Sequence, residues 1–420
     1  GEAQFYGSFT ESLTDAFKYG SYTLGHRAGH PNLYVLTPDA ISPDNCLYSI
    51  WLRSTAYKQI RETNQFLSLQ RKYSEFSADR NKLWEAQVRF FRAFVYFQLA
   101  KRHGGVILYD DLPVSTNKAR SSAEETWQFI ADDLDFAANN LPKEWDAANK
   151  GRITKGAAYA LKSRAMLYAK RWQDAYDAAN NVIALKLYGL TDKYEDAWKG
   201  NNKEAILEFD YDAANGPNHL FDRYYVPQCD GYDNGSTGTP TQEMVECYES
   251  KNGEKIDRSN SSQLAKGALP LKYGMDPDMK DGQSGIDVVI YRYADVLLTL
   301  AECINRNEGS PTTEAIGLVN RVRKRAGLSE LDDAQTASGE AFNEAILLER
   351  GHEFYLEGLR RQDLIRFGKY VEYANNRIDA INKSEGRGYF NVHEGHNRFW
   401  IPQSFIDESK GAIKQNDYDR

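Results

Sequence analysis

Residues 154–186 read TKGAAYALKSRAMLYAKRWQDAYDAANNVIALK, and this stretch decides the fold. Two amphipathic helical patterns, about 154–170 and 172–186, are joined by a tight turn near Lys170 and Arg171. The stretch therefore predicts a closely packed helix pair, because small and large apolar residues alternate along the faces that would meet. These residues are Leu161, Ala165, Tyr168, Ala175 and Ala179.

The same arrangement occurs a second time, at about 288–307 and 312–326. Both pairs resemble the small and large pattern of the tetratricopeptide repeat, although the first turn is about two residues shorter than usual. The two pairs lie roughly a hundred residues apart and are therefore not tandem. They predict a mostly α scaffold that carries an inserted segment. The second pair places Ala301, Ile304, Ala315, Val319 and Val322 in comparable positions.

Further helices extend the predicted scaffold. Residues 83–101 form the clearest pattern, and Gly104 and Gly105 signal its end. Its apolar face holds Phe90, Phe91, Phe94 and Phe97, and its charged face holds Glu85, Arg89 and Arg92. The next helix is predicted to begin at Ser121 and Ser122, with Glu124 and Glu125 as capping-box partners.

A last helical stretch is predicted over 341–379, and it is rich in both signs of charge. Its charged residues are predicted to pair with one another and to join helix to helix. They are Glu349, Arg350, Glu353, Glu357, Arg360, Arg361 and Asp363.

Two segments have a different composition and are predicted to carry the function. The insertion, about 189–286, is rich in glycine and tyrosine and contains turn clusters such as DGYDNGSTGTP. Residues 20–50 have a similar character and include HRAGHPNLYVLTPDAISPDN. Loops of this kind hold binding residues when a rigid scaffold positions them.

The composition of the 420 residues narrows the class of function. The net charge is −8 with acidic and basic residues well mixed, which argues against a nucleic-acid surface, since that needs a basic stripe. The 27 tyrosines favour a surface that presents amphipathic rings to a ligand. No apolar run predicts a membrane span, and the opening GEAQFYGSF lacks the features of a signal peptide.

The motifs of common catalytic and cofactor sites do not occur in the sequence. There is no phosphate-binding glycine loop, no nucleophile elbow and no HExxH, since His352 and Glu353 lack the second histidine. The sequence therefore predicts a non-enzymatic protein with no cofactor and no metal. Two histidine pairs have the spacing of half a zinc site but lie among glycines, which favours loop or ligand-facing histidines. They are His26 with His30, and His393 with His396.

One acidic turn, DPDMKDGQSGID at 276–287, superficially resembles a calcium loop. One residue too many separates its second and third acids, so a solvated turn is favoured and calcium binding stays open. The acids concerned are Asp276, Asp278, Asp281 and Asp287. The cysteines show no CxxC, which favours free thiols, and a bridge between Cys229 and Cys247 stays open.

Five motifs occur in one fixed order: EAQVRFFRAFVYFQLAKRHGGVILYD, GRITKGAAYALKSRAMLYAKR, YRYADVLLTLAECINR, RKRAGL and ERGHEFYLEGLRRQDLIRFG, before the close FWIPQSFIDESKGAIKQNDYDR. In this order they resemble the SusD/RagB family, surface lipoproteins of Bacteroidetes that work with an outer-membrane TonB-dependent transporter. The resemblance runs from about Trp51 to Arg420. The chain departs from the family pattern in a compact middle segment, and in Asn416, Asp417 and Tyr418 where the family usually has NPGY.

The resemblance implies a single SusD-like domain over 1–420, with an irregular C-terminal segment at 380–420. It implies a helical scaffold, about 51–188 and 287–379, around the loop-rich insertion 189–286. It also implies non-catalytic glycan binding, delivery to a SusC-like TonB-dependent transporter, and a lipid anchor at the outer-membrane surface, whose cysteine is not in this chain. Two alternatives stay open: a peptide-binding member of the family, and a tetratricopeptide-type scaffold for protein interaction.

Sugar rings present flat C–H faces and a rim of hydroxyls, so a glycan site needs aromatic platforms with polar groups beside them. In characterised members of the family the site lies in loops before the first long helix and in the insertion. The candidate ligand-binding residues in those two places are His26, Arg27, Tyr34 and Asn45, and Tyr224, Tyr225, Tyr232, Asp233 and Asn234.

Overall fold

The structure is a computed structural model of the chain. It forms two compact units, residues 1–40 with 187–392 (the first unit) and residues 41–186 with 393–420 (the second unit). The predicted single-domain organisation stays a prediction, because compactness does not show whether either unit folds alone. The residues described are 10–11, 13–19, 43–44, 50–51, 55–112, 118–198, 200, 202–212, 215–217, 219, 238–249, 272, 284–386 and 388–416.

Helices dominate the described residues, which confirms the predicted mostly α class. The four strands are β1 (Phe17–Tyr19), β2 (Ala205–Phe209), β3 (Gly238–Pro240) and β4 (Val288–Arg292). The helices are α1 (Thr55–Tyr73), α2 (Ala78–His103), α3 (Ala123–Asn140), α4 (Lys155–Tyr168), α5 (Trp172–Ala184), α6 (Gln242–Cys247), α7 (Tyr293–Glu308), α8 (Thr313–Arg325), α9 (Gly339–Glu353), α10 (Arg360–Arg366), α11 (Tyr370–Glu385) and α12 (Gln403–Glu408).

The helix pair predicted from 154–186 forms as α4 and α5. The Thr154 hydroxyl accepts a hydrogen bond from Ala157 N at 3.2 Å and so caps α4. At the tight turn Lys170 adopts φ 60°, and Arg171 N donates to Met166 O at 2.9 Å. Buried alanines permit the close contact between the two helices. This prediction is confirmed.

The helices α1 to α5 of the second unit pack in sequence, each against the next. The predicted capping box at the start of α3 is confirmed for Ser122 and Glu125, whose side chains each accept a bond from the other's backbone N–H. The backbone of Ser121 lies close to Gly105, which follows the end of α2. A glycine is required there, because a Cβ would lie 2.2 Å from Ser121 O.

The predicted charged face of α2 forms, since Arg89 pairs with Glu85 and both Arg89 and Arg92 lie against Asp133, but at Arg92 this face is buried. The Arg92 guanidinium is buried and donates to both carboxylate oxygens of Asp133 on α3, at 2.7 Å each. It also donates to Asn64 Oδ1 on α1 at 2.7 Å. A bidentate pair between helices satisfies the buried charge, and helical periodicity alone cannot distinguish this from a solvent-exposed charge.

The predicted second helix pair is wrong at its beginning. Residues 288–292 form β4, which pairs antiparallel with β2, and α7 begins only at Tyr293. The run VVIYR begins with three β-branched residues and is buried throughout, which favours a strand. The rest of the pair forms as predicted, with Ala301 on α7 and Val319 on α8 both buried.

The predicted helical stretch 341–379 is divided into three helices, α9, α10 and α11. Leu356, Gly358 and Gly368 have positive φ values of 63°, 74° and 71°, which an α-helix does not accommodate. Its charged residues do join helices, as predicted. Arg350 on α9 donates at 2.9 Å to both Asp295 on α7 and Asp363 on α10.

Among the described residues, no helix combines the length and the apolar composition that a membrane crossing requires.

The ring of Phe97 is buried in the second unit, stacked against Tyr168 with ring centroids 5.6 Å apart. We expect Phe97→Ala to lower the free energy of unfolding by about 3–5 kcal/mol, since it leaves a cavity between α2 and α4. The matched control is Phe91→Ala, because the Phe91 ring is half exposed on the same helix. Urea denaturation followed by circular dichroism measures both, and equal losses would contradict burial as the cause.

Candidate functional site

The nine ligand-binding residues predicted from the sequence all lie outside the described residues. Their side-chain positions therefore stay a prediction. The structure does describe the stems from which most of their loops depart, and these stems belong to the first unit.

The strands β1 and β3 bring two of the predicted loop segments to one place. They pair antiparallel, with Phe17 opposite Pro240 and Tyr19 opposite Gly238. The chain that leaves β1 after Tyr19 and the chain that arrives at Gly238 therefore lie at the same end of the pair. The first segment holds His26, Arg27 and Tyr34, and the second holds Tyr224, Tyr225, Tyr232, Asp233 and Asn234. We call β1 and β3 the loop base.

Four side chains hold the segment that leads into β1. Both carboxylate oxygens of the buried Glu11 accept backbone hydrogen bonds, from Leu356 N at 3.0 Å and Gly358 N at 2.8 Å. The Asp15 carboxylate accepts two bonds from Arg360, at 2.7 and 3.0 Å. Arg377 donates to Phe17 O at 2.7 Å and also to Thr14 O. The loop base is therefore fixed by buried charge.

A second pair of strands closes the insertion. The strands β2 and β4 pair antiparallel with Phe209 opposite Val288, so the chain leaves and re-enters the scaffold at one point. Beyond them His219 and Ser284 exchange backbone hydrogen bonds of 3.1 and 2.8 Å. We call β2, β4 and this bridge the insertion neck.

Three carboxylates gather at the insertion neck. Glu208, Asp210 and Asp287 each place an oxygen within 4.8 Å of the others. Partial burial raises the pKa of Asp287, and the neighbouring Asp210 raises it further. Such a donor set suits a hard cation, and acidic groups like these are also common without one. The sequence singled out Asp287 through its calcium-like turn, whereas Asp276, Asp278 and Asp281 lie outside the described residues.

Buried Arg292 ties the insertion neck to the helices. At the end of β4 it donates to Glu204 Oε1 at 2.9 Å, to Glu353 and to Glu357. Arg325 on α8 donates to Glu204 at 2.8 Å and to Glu353 as well. The sequence analysis predicted ion pairs for Glu353 and Glu357 but did not identify Arg292 or Glu204.

Lys272, near the end of the insertion, reaches the same cluster. Its ammonium group lies 2.5 Å from Glu357 Oε1 and 2.9 Å from Glu353 O. Burial lowers the pKa of Lys272 to about 8, although the Glu357 carboxylate opposes that shift. Part of the insertion is thus held on the scaffold, and no sequence motif signals this contact.

The histidines noted in the sequence have structural roles where they are described. His393 Nδ1 accepts from Gly395 N at 3.2 Å, and His396 Nδ1 accepts from His393 N at 3.1 Å. His352 stacks on Tyr248 with ring centroids 4.5 Å apart, and burial lowers its pKa to about 4. Cys303 is a buried free thiol. The possible bridge between Cys229 and Cys247 stays open, because Cys229 lies outside the described residues.

Two family models match the chain. The model described as "SusD family" matches residues 259–418, and the model described as "Starch-binding associating with outer membrane" matches residues 18–167. The chain belongs to the SusD family. The resemblance read from the five motifs is thereby confirmed.

Relatives within the SusD family are similar over part of their length. The chain is 27% identical to a SusD-like protein of Bacteroides ovatus over 385 residues, which cover 74% of this chain and 65% of that protein. It is 32% identical to the starch-binding protein SusD of Bacteroides thetaiotaomicron over 149 residues, 36% of this chain and 23% of that protein. The chain therefore spans less than two thirds of the length of the curated relatives it matches.

Solved SusD-like structures share the fold. A SusD superfamily protein of Bacteroides vulgatus superposes with a TM-score of 0.79 at 22% identity, covering 98% of this chain and 92% of that one. Surface glycan-binding protein A of Bacteroides thetaiotaomicron, in complex with laminarihexaose, gives a TM-score of 0.76 at 23% identity, covering 98% and 93%.

Glu11 makes the stability of the first unit depend on pH. Burial raises its pKa to about 7, against 4.5 for an exposed glutamate, although the Gly358 N–H and Lys272 lower it. The stabilisation linked to its proton is therefore complete below pH 4.5 and is lost as pH rises through 7. We expect Glu11→Gln to reduce the fall in melting temperature between pH 5 and pH 8.

In the Glu11 variant the fall in melting temperature with rising pH should be reduced and not abolished, because burial also raises the pKa of Glu349 to about 7. The matched control is Glu195→Gln, whose side chain is 68% exposed in the same unit and should leave the pH dependence unchanged. Thermal melts across this pH range measure the effect. A Glu11 variant whose pH dependence equals that of the parent would show that this carboxyl is not held as described.

Proposed function

We propose that this SusD-family chain binds extracellular oligosaccharides without cleaving them, using the loops that meet at the loop base. One observation carries the proposal: the register that places Tyr19 opposite Gly238 brings the start of segment 20–40 and the end of segment 220–237 to one point. A relative of the same fold is in complex with laminarihexaose. These two facts support glycan recognition by the paired loops.

The chemistry of the two loops suits a sugar. Tyr224, Tyr225 and Tyr232 supply aromatic faces for the C–H surface of a pyranose ring. His26, Arg27, Asp233 and Asn234 supply donors and acceptors for ring hydroxyls, and Tyr34 and Asn45 complete the predicted set. An aromatic platform with polar groups beside it is the minimum that such recognition requires.

Three buried carboxylates at the insertion neck are held by arginines and are therefore unavailable as an acid or base for hydrolysis. Glu204, Glu353 and Glu357 are bound to arginines, and their side chains are at most slightly exposed. Hydrolysis of a glycosidic bond needs one carboxyl held protonated and a second one facing the sugar. Binding without turnover is therefore the function that these residues support.

We expect Tyr232→Ala and Tyr224→Ala each to weaken oligosaccharide binding by about 1–3 kcal/mol, the amount typical for loss of one stacking platform. Tyr232 lies in the turn-rich stretch DGYDNG, where a ring tends to stay at the surface. Calorimetry with laminari- and malto-oligosaccharides, and with a peptide panel, measures the loss and the ligand class. Thermal melts of both variants should match the parent.

The matched control is Phe390→Ala, because Phe390 is an exposed aromatic residue of the same unit outside both loops. It should bind like the parent. Unchanged binding by both tyrosine variants would place the site elsewhere. Binding of peptides but of no oligosaccharide would support the peptide-binding alternative instead.

We also propose that the protein is held by lipid at the outer-membrane surface and delivers its ligand to a TonB-dependent transporter. The family description of starch binding in association with the outer membrane supports this location. The transporter itself is inferred from the family resemblance.

Affinity purification of the native protein from detergent-solubilised outer membranes tests the partnership. We expect it to recover a TonB-dependent barrel receptor, because transfer of a captured glycan requires direct contact with the transporter. A tagged, unrelated outer-membrane lipoprotein serves as the control. Recovery of the protein from the cytoplasmic fraction, without a barrel partner, would contradict the proposal.

A further inference from the structure

Exposed hydrophobic side chains are concentrated in one stretch of the second unit. Five of the seven large hydrophobic residues exposed among the described residues lie between positions 66 and 91. Phe66, Leu69 and Tyr73 are spaced to share one face of α1, and Phe76 follows in the turn to α2. Their exposure is 39%, 48%, 65% and 55%. We call residues 66–82 the hairpin tip.

The hairpin tip is held in shape by hydrogen bonds. Asn81 at the start of α2 accepts a bond from Ser74 Oγ at 2.6 Å and donates to Phe76 O at 3.0 Å. Gln70 on α1 donates to Asn81 O at 2.9 Å. The two most exposed rings of the tip, those of Tyr73 and Phe76, therefore lie at an ordered turn. Their exposure is a property of the folded hairpin.

The tip has a charge opposite to that of the whole chain. Residues 71–82 contain four basic and two acidic residues, whereas the chain carries a net charge of −8. Two of the cations lie over the exposed rings: Lys72 Nζ is 5.1 Å from the Tyr73 centroid, and the Arg80 guanidinium is 4.4 Å from that of Phe76. Aromatic rings with lysine and arginine are the residues that favour a membrane interface.

We infer that the hairpin tip docks on an anionic membrane surface. The rings would enter the headgroup region while Lys72, Arg80 and Lys82 contact lipid phosphates. Arg71 lies 3.7 Å from Asp111 and is partly neutralised by it. A second copy of the chain does not fit, because a symmetric contact would place two positively charged tips against each other. Sugar stacking fits less well, since a cation already lies over one face of the Tyr73 ring and one face of the Phe76 ring.

At roughly 200 Å² for each large side chain, the exposed fractions give about 400 Å² of apolar surface. An exposed apolar patch of this size is typical of an interaction site. The basic side chains around it favour an anionic membrane as the partner. This inference is independent of the glycan site.

Co-flotation of the full chain with lipid vesicles tests the inference. The parent should bind vesicles of phosphatidylcholine with phosphatidylglycerol, release at high salt, and bind phosphatidylcholine alone much more weakly. Lys72→Gln with Lys82→Gln should weaken binding roughly 25-fold, at about fivefold for each cation. Tyr73→Ser with Phe76→Ser should weaken it about tenfold or more, because the apolar anchor is lost.

The matched control is Phe390→Ser, an exposed aromatic residue of the other unit, which should bind vesicles like the parent. All tip variants should keep their thermal melts and their oligosaccharide binding, so failure of this inference is distinguishable from failure of the proposed function. Equal binding to both kinds of vesicle, or unchanged binding by both double variants, overturns the inference. Binding to native outer membranes but not to vesicles of their extracted lipids also overturns it, in favour of a protein partner.

Discussion

The buried guanidinium of Arg292 is the interaction on which the first unit depends. It lies at the end of β4 and is bound by three carboxylates, those of Glu204, Glu353 and Glu357. A planar group with donors in fixed directions accepts its partners only at defined positions. One side chain therefore fixes three places relative to β4. They are the residue before β2, the last residue of α9 and the loop after α9. Because β2 and β4 form the insertion neck, the same side chain sets where the inserted loops begin and end.

This arrangement separates the residues that hold the fold from those predicted to recognise a ligand. The charged pairs, caps and buried alanines lie in the helices and the two short strand pairs, whereas the predicted ligand-binding residues belong to the sequence segments between these elements. Solved SusD-like structures keep the fold, with TM-scores of 0.76 and 0.79, at 23% and 22% identity. A scaffold that is specified by a small set of buried contacts tolerates such divergence, and loops of new sequence can then change the ligand without moving their stems.

The sequence predicted local structure well and long-range pairing poorly. The capping box of Ser122 and Glu125 and the α4–α5 pair were predictable, because each depends on residues a few positions apart. The burial of Arg92 was not, since its partner Asp133 lies 41 positions away and periodicity does not identify partners. The loop base was equally unpredictable, because β1 and β3 have three residues each and show no alternation of apolar and polar residues. The two candidate segments were identified from composition, but their common origin at Tyr19 and Gly238 required the structure.

The long-range pairs that sequence reasoning missed share one physical property. A buried ion pair contributes little net stability, because removing both charges from water costs about as much as their attraction returns. An apolar cluster of the same volume would hold the insertion neck together at least as strongly, but apolar contacts permit small sliding motions and alternative packing. A carboxylate bound by a guanidinium, or by two backbone N–H groups as at Glu11, permits neither. We therefore interpret the arginine–carboxylate pairs beneath the two loop stems as devices that specify position. The binding face that we propose for the two segments needs this, since its selectivity would depend on the spacing between them.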